Sequence, residues 1–131
     1  MDVTAAVITY LKADARVAAK VSTRIDRVVN APFPQFPSVV VQKVDDLRGD
    51  HTSTGRYSTA RIQCSSFAKT DSEADEVSEL IADALDATVN TVIGGLYIVS
   101  CFDAGVVPDN DPKVPLYVYH RDFRIMYSVR I

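Results

Sequence analysis

The sequence predicts an α+β fold: an antiparallel sheet of four to five strands with two main helices packed on one face. Three observations carry this. A capped, amphipathic helical stretch begins at Thr70, and a strictly alternating stretch closes the chain from Tyr117 to Ile131. Between and before them the apolar patterns run in the order helix, strand, strand, helix, strand, strand. Runs of strands with helices segregated to one side make an α+β sandwich rather than a wound parallel sheet.

At the N-terminus, Val3, Val7, Ile8, Tyr10 and Leu11 recur at helical spacing, with Asp2 and Thr4 as candidate caps. Asp14 can cap a second short turn, Ala15 to Val21, before Arg24-Ile25 leads into extended chain. Pro32, Pro34 and Pro37 then forbid helix and enforce an extended path through APFPQFP. Ser38 to Val44 is short and β-branched, hence a strand. Asp45 to Gly55 (DDLRGDHTSTG) is polar, holds glycines and lacks periodicity, so it reads as a long loop.

Tyr57 to Ala68 resumes as a strand, with Ala60, Ile62 and Cys64 on a dry side and Thr59, Arg61 and Gln63 on a wet one. Thr70 and Glu73 form a capping box, and Ala74, Val77, Leu80, Ile81, Ala84 and Leu85 then fall on one stripe. The acidic first turn suits the helix dipole. From Asp86 to the turn at Gly94-Gly95 the pattern is ambiguous. Leu96 to Phe102 reads as a buried strand, and Ala104 to Val114 (AGVVPDNDPKV) as a second long loop. In the last strand the odd positions from Tyr117 are apolar, interrupted by Arg121, while His120, Asp122, Arg124 and Arg130 share the even, wet side.

With 131 residues the chain suits one domain spanning 1–131, large enough to bury a core without disulfide or metal. Hydrophobic residues at 47% and charged residues at 24% are those of an ordinary globular protein. A net charge of −3 disfavours direct nucleic-acid binding, which needs a basic face to neutralise phosphates. No apolar run approaches the roughly 20 residues of a membrane span. The start, MDVTAAVITYLKAD, lacks the basic region of a signal peptide, so the expectation is a protein made in a cytoplasm or kept in a particle assembled there. Cys64 and Cys101 read as buried thiols, and a disulfide requires their strands to be neighbours.

The residues that could carry chemistry do not converge in the sequence. His51 and His120 fall in a polar loop and on a wet strand face, and no four-ligand zinc spacing exists. His120-Arg121-Asp122 matches the start of a kinase catalytic loop, but Tyr127 stands where that loop needs its magnesium-holding asparagine. Arg48-Gly49-Asp50 spells an adhesion tripeptide and is more simply a charged turn. Asp45-Asp46 and Asp109 with Asp111 lack the ligand series and terminal Glu of a calcium loop. The expectation is a protein without cofactor, metal or catalytic residues.

The two long polar segments are the exceptional feature, since structureless loops of such length are commonly functional or disordered; they read either as plain surface disorder or as segments that order against neighbouring copies. Asp46, Arg48, Asp50, His51 and Arg56 are candidate assembly-interface residues of the first, and Asp109, Asp111 and Lys113 of the second. Mixed charge on the last strand, Asp122, Arg124 and Arg130, suits a polar subunit contact or simple solubility.

Four stretches together resemble the tail completion or tail terminator proteins of long-tailed phages and related prophages. They are DARVAAKVSTRI, PFPQFPSVVVQKV, RIQCSSFAKTDSEADEVSELIADALD and DFRIMY, which span nearly the whole chain in order. The resemblance implies a structural virion protein, not an enzyme, whose copies form a hexameric ring. Such a ring caps the head-proximal end of the tail tube, ends tube polymerisation and meets the head–tail connector. Its partners would be further copies of itself, the tube protein and the connector or stopper. The rival readings are another neck component, such as a head completion protein, a tail tube subunit, and, more remotely, a small-molecule-binding α+β domain or enzyme.

Overall fold

The computed structural model describes residues 2–27, 36–52, 55–86, 88, 90–93, 96–109 and 116–129. The helices are α1 (Val3–Ala13), α2 (Ala15–Val21) and α3 (Asp71–Asp86). The strands are β1 (Ile25–Asp26), β2 (Ser38–Thr52), β3 (Gly55–Ala68), β4 (Thr91–Ile93), β5 (Leu96–Pro108) and β6 (Tyr117–Val129). They form one sheet in the order β1-β2-β3-β6-β5-β4. Among the described residues β1 pairs parallel with β2, and every other neighbour is antiparallel.

Helix signals in the sequence are matched by side-chain caps. Asp2 accepts from the Ala5 amide at 2.8 Å, and Asp14 accepts from Arg16 and Val17 at 2.9 and 3.1 Å. Thr70 Oγ1 accepts from the Glu73 amide at 3.3 Å. On α3, Ala74, Val77, Ile81, Ala84 and Leu85 are buried along with Ser78 and Ala82. The acidic residues Asp71, Asp75, Glu76, Glu79, Asp83 and Asp86 are exposed.

The helices share one side of the sheet. Their stripes meet Val39 and Val41 of β2, Ala60, Ile62 and Cys64 of β3, Leu96, Ile98 and Cys101 of β5, and Phe123 and Ile125 of β6, all in one core cluster. Phe123, Ile62 and Leu11 are completely covered, so truncating any of them to alanine costs about 3–5 kcal/mol.

Four expectations need correction. Among the described residues the sheet has six strands rather than four to five, because β1 and β4, only 2 and 3 residues long, carry too little pattern to be read. Ala15–Val21 is a full helix, making three helices among the described residues. Most importantly, Asp45 to Gly55 is not a loop: β2 continues to Thr52, β3 starts at Gly55, and Thr52 pairs with Gly55. Likewise the second segment is strand up to Pro108. Gly105, at φ +118°, follows a register shift between Asp103 and Gly105, a backbone setting that favours glycine.

Cys64 and Cys101 lie on β3 and β5, which are separated by β6, and both thiols are free. Two inter-strand spacings, roughly 9–10 Å, are too wide for a disulfide.

Candidate assembly interface

The long hairpin β2–β3 is held at its root. Asp46 stands beside Ala60, and Tyr127 of β6 donates its hydroxyl to Asp46 Oδ2 at 2.6 Å. Lys43 approaches the same carboxylate at 3.5 Å. Beyond this root, Arg48 pairs with Ser58, and His51 with Arg56, carrying the hairpin past the last β3–β6 pair, Tyr57 with Ser128. Asp50 lies in β2 at the register shift between Arg48 and His51. The side chains of Arg48, Asp50, His51 and Arg56 are outside the described part.

The second candidate segment lies at the opposite end of the sheet. Pro108 pairs with Tyr119, and Asp109 N–H donates to the Val118 carbonyl at 2.9 Å. Asp111 and Lys113 fall outside the described residues. The topology therefore does not bring Asp109 near the first set; it separates them by the length of the central strands.

Helices cover one side of the sheet, and the other side carries a surface that the sequence shows only in part. Its clearest row crosses four strands: Asp45, Arg61, Arg124 and Phe102 stand side by side. Asp45, Thr59, Ala60, Arg61 and Arg124 line a cavity of about 170 Å³ there. Two arginines directly opposite one another repel. Asp122, one row along, offsets this by accepting from Arg61 at 3.0 Å and from Gln63 at 3.3 Å.

Phe102, Met126 and Val107 add exposed apolar area to this side, at 65%, 40% and 64% exposure. Met126 stands on the same side of β6 as His120, Asp122 and Arg124. The place of Phe102 was not legible in the sequence, because register shifts between Ile98 and Ser100 and between Asp103 and Gly105 reset the alternation of β5.

On the same side Ser65 Oγ and His120 Nδ1 lie 2.7 Å apart, and His120 Nε2 is 3.4 Å from Asp109 Oδ2. The composition is that of a hydrolytic triad, and no sequence spacing announced it. Ser65, however, is only 6% exposed, in the middle of a strand paired on both sides. Its neighbouring amides are committed to the ladder and cannot serve as oxyanion donors. The contact instead ties β3, β6 and the start of the second segment together.

Arg121, the interruption in the apolar side of the last strand, is buried on the helix side. It donates to Ser78 Oγ at 2.8 Å and Glu79 Oε1 at 2.8 Å, and also to Asp103. Among the described residues no group of three or more His, Cys, Asp or Glu could hold a metal ion, and no helix is long and apolar enough to cross a membrane.

Comparison with known proteins agrees with this architecture. A chain from the virion of a native gene transfer agent particle has a similar fold, with a TM-score of 0.74 at 22% identity, covering 96% of this chain and 94% of that one. No curated protein sequence is a significant match. The family model described as tail completion protein gp17 matches residues 5–128. The chain therefore belongs to the tail completion protein gp17 family, and it is a structural component of a phage-type tail, not an enzyme.

Proposed function

We propose that this protein forms a closed ring, a hexamer, on the head-proximal end of the tail tube, where it ends tube polymerisation and presents the surface that the head connector meets. The observation that carries this reading is the placement of the two candidate segments. β2 and β3 meet through Thr52 and Gly55 at one end of the sheet, and β5 ends at Pro108, beside Tyr119, at the other. A ring built with the strands roughly along its axis carries one segment on each rim. One rim can then match the tube while the other does not, which is sufficient to stop growth.

In this reading Asp46 anchors the hairpin, and Arg48, Asp50, His51 and Arg56 belong to one rim. Asp109, Asp111 and Lys113 belong to the other. The partners are further copies of the chain, the tube protein and the connector or stopper. The whole chain acts as one domain.

Deleting Asp50 to Thr54 tests it. The variant is expected to keep its circular dichroism and its unfolding transition, because the root at Asp46 and Tyr127 is untouched. Tails assembled with it are expected to be abnormal in length or to fail to join heads. Normal, infectious particles from that variant would show that the hairpin rim has no such role.

A further inference from the structure

Among the described residues, the outer strands leave most of the sheet's two edges unpaired. β1 covers β2 only at Val39 and Val40, and β4 covers β5 only at Leu96 to Ile98. Beyond them the Asn90 amide reaches the Val99 carbonyl at 3.3 Å. From Val41 onward along β2, and from Ser100 to Pro108 along β5, no described residue pairs with the outward side. An open edge is a row of unused donors and acceptors, and proteins that stay monomeric usually blunt it with charge. The β5 edge instead displays Phe102, Val106 and Val107, exposed at 65%, 37% and 64%. The β2 edge displays Val44, exposed at 48%, between the exposed charges of Lys43 and Asp45.

Strand direction makes the two edges complementary. β2, β3, β6 and β5 alternate in sense, so β2 and β5 run in opposite directions. Rotation about an axis along the strands preserves direction. It therefore sets β5 of one copy against β2 of the next as an antiparallel pair, the more stable kind.

The short strands also fix an offset. They lie at opposite ends, since β1 borders the Ser38–Phe67 end and β4 borders the Leu96–Val129 end. Within one sheet Val41 shares a row with Cys64, Arg121 and Val106. Pairing the whole of Ser100–Pro108 while clearing β1 puts Pro108, not Val106, beside the next copy's Val41, an offset of two residues (108 − 106). A sheet that closes on itself needs such a stagger, with tilted strands. Register shifts in both open stretches, at Lys43/Asp45 and Asp103/Gly105, supply the local bending.

We propose that copies of this chain associate head to tail through these edges, with Val41–Gly49 of one copy pairing antiparallel with Ser100–Pro108 of the next. β1 and β4 act as stops that set the stagger. This deepens the ring reading and rests on it for closure, but it concerns the contact alone. The contact places Gln42 beside Val107 of the neighbour.

The experiment uses the full chain with Gln42→Cys, Val107→Cys, or both, and a short bis-maleimide. The native thiols are buried. At millimolar protein the double variant is expected to give a ladder of covalent oligomers. A mixture of the two single variants is expected to give dimers only, and each single variant alone no cross-linked species. Val107→Lys is expected to weaken self-association by about tenfold or more. Three results overturn the proposal: dimers from either single variant alone, no ladder from a chain that light scattering shows to be oligomeric, or a chain monomeric at every concentration. None of these bears on tail length or head joining, so the ring's role would be judged separately.

Discussion

Arg121 of β6 and Ser78 of α3 are joined inside the protein by a 2.8 Å hydrogen bond from the guanidinium to the serine hydroxyl. The arginine side chain is only 6% exposed, whereas its acidic partners Asp103 and Glu79 are exposed at 26% and 60%. The desolvation cost thus falls on the cation, and the two acids can each recover water if it is removed.

An asymmetry follows from this. Asp103→Ala leaves a buried positive charge short of a partner and is expected to cost about 3 kcal/mol. Arg121→Met removes the charge and keeps much of the packing, so about 1 kcal/mol is expected. Urea unfolding of the two variants compares them directly. A larger loss for Arg121→Met would mean that the arginine's bonds outweigh its burial cost.

The same residue shows where sequence reading stopped. That Arg121 broke an apolar side was visible; that its partners come from α3 and β5 was not, because nothing in the local pattern encodes a three-element contact. Elements that bury something were legible. The stripe of α3, the alternation of β3 and the caps at Asp2 and Asp14 all emerged with their expected faces. The distal hairpin was missed for the complementary reason. Apolar periodicity reports burial, and a hairpin that passes the end of the sheet needs only backbone pairing. Its residues, DDLRGDHT, therefore look like loop while forming strand. The outer strand β5 shows the same effect, since no described residue pairs with the outward side of AGVVP and all five residues are exposed.

The hairpin root depends on the Tyr127 hydroxyl. Tyr127 is 9% exposed, its 2.6 Å bond to Asp46 is charge-assisted, and the other carboxylate oxygen is buried without a hydrogen-bond partner. Tyr127→Phe is expected to cost about 2 kcal/mol. Amide exchange is expected to accelerate at Asp45 to Arg48 and Ser58 to Ala60 more than in the rest of β3. Uniform acceleration across the sheet would place the hydroxyl's effect in the core and not at the root.

Helix α2 has only 7 residues, too short to be stable by its own propensity. Asp14 satisfies two of its free amides, those of Arg16 and Val17. Asp14→Ala is therefore expected to cost about 1 kcal/mol, and Asp14→Asn, which keeps a capping oxygen, only a few tenths. Equal losses in thermal unfolding would show that the charge of Asp14, rather than its geometry, supports this turn.

The two thiols give the protein an alkaline limit. Burial pushes Cys101 from 9.0 up to about 12, despite a hydrogen bond with Thr88 that works the other way, and burial likewise raises Cys64. The unfolded chain releases these protons near 9, whereas the folded chain holds them. Between those values the unfolded state binds fewer protons, so stability falls as pH rises. The contribution is complete below 9 and is lost on the way to about 12. Each thiol adds a slope of at most about 1.4 kcal/mol per pH unit. A variant with Cys64→Ala and Cys101→Ala is less stable at neutral pH because of its cavities, but its urea midpoint is expected to decline less between about pH 8 and about pH 10.5. The folded wild type is expected to resist an aromatic disulfide reagent at the lower pH and to react at both cysteines once denatured. Parallel declines in the two proteins, or prompt reaction of the native fold, would place these sulfurs in contact with solvent.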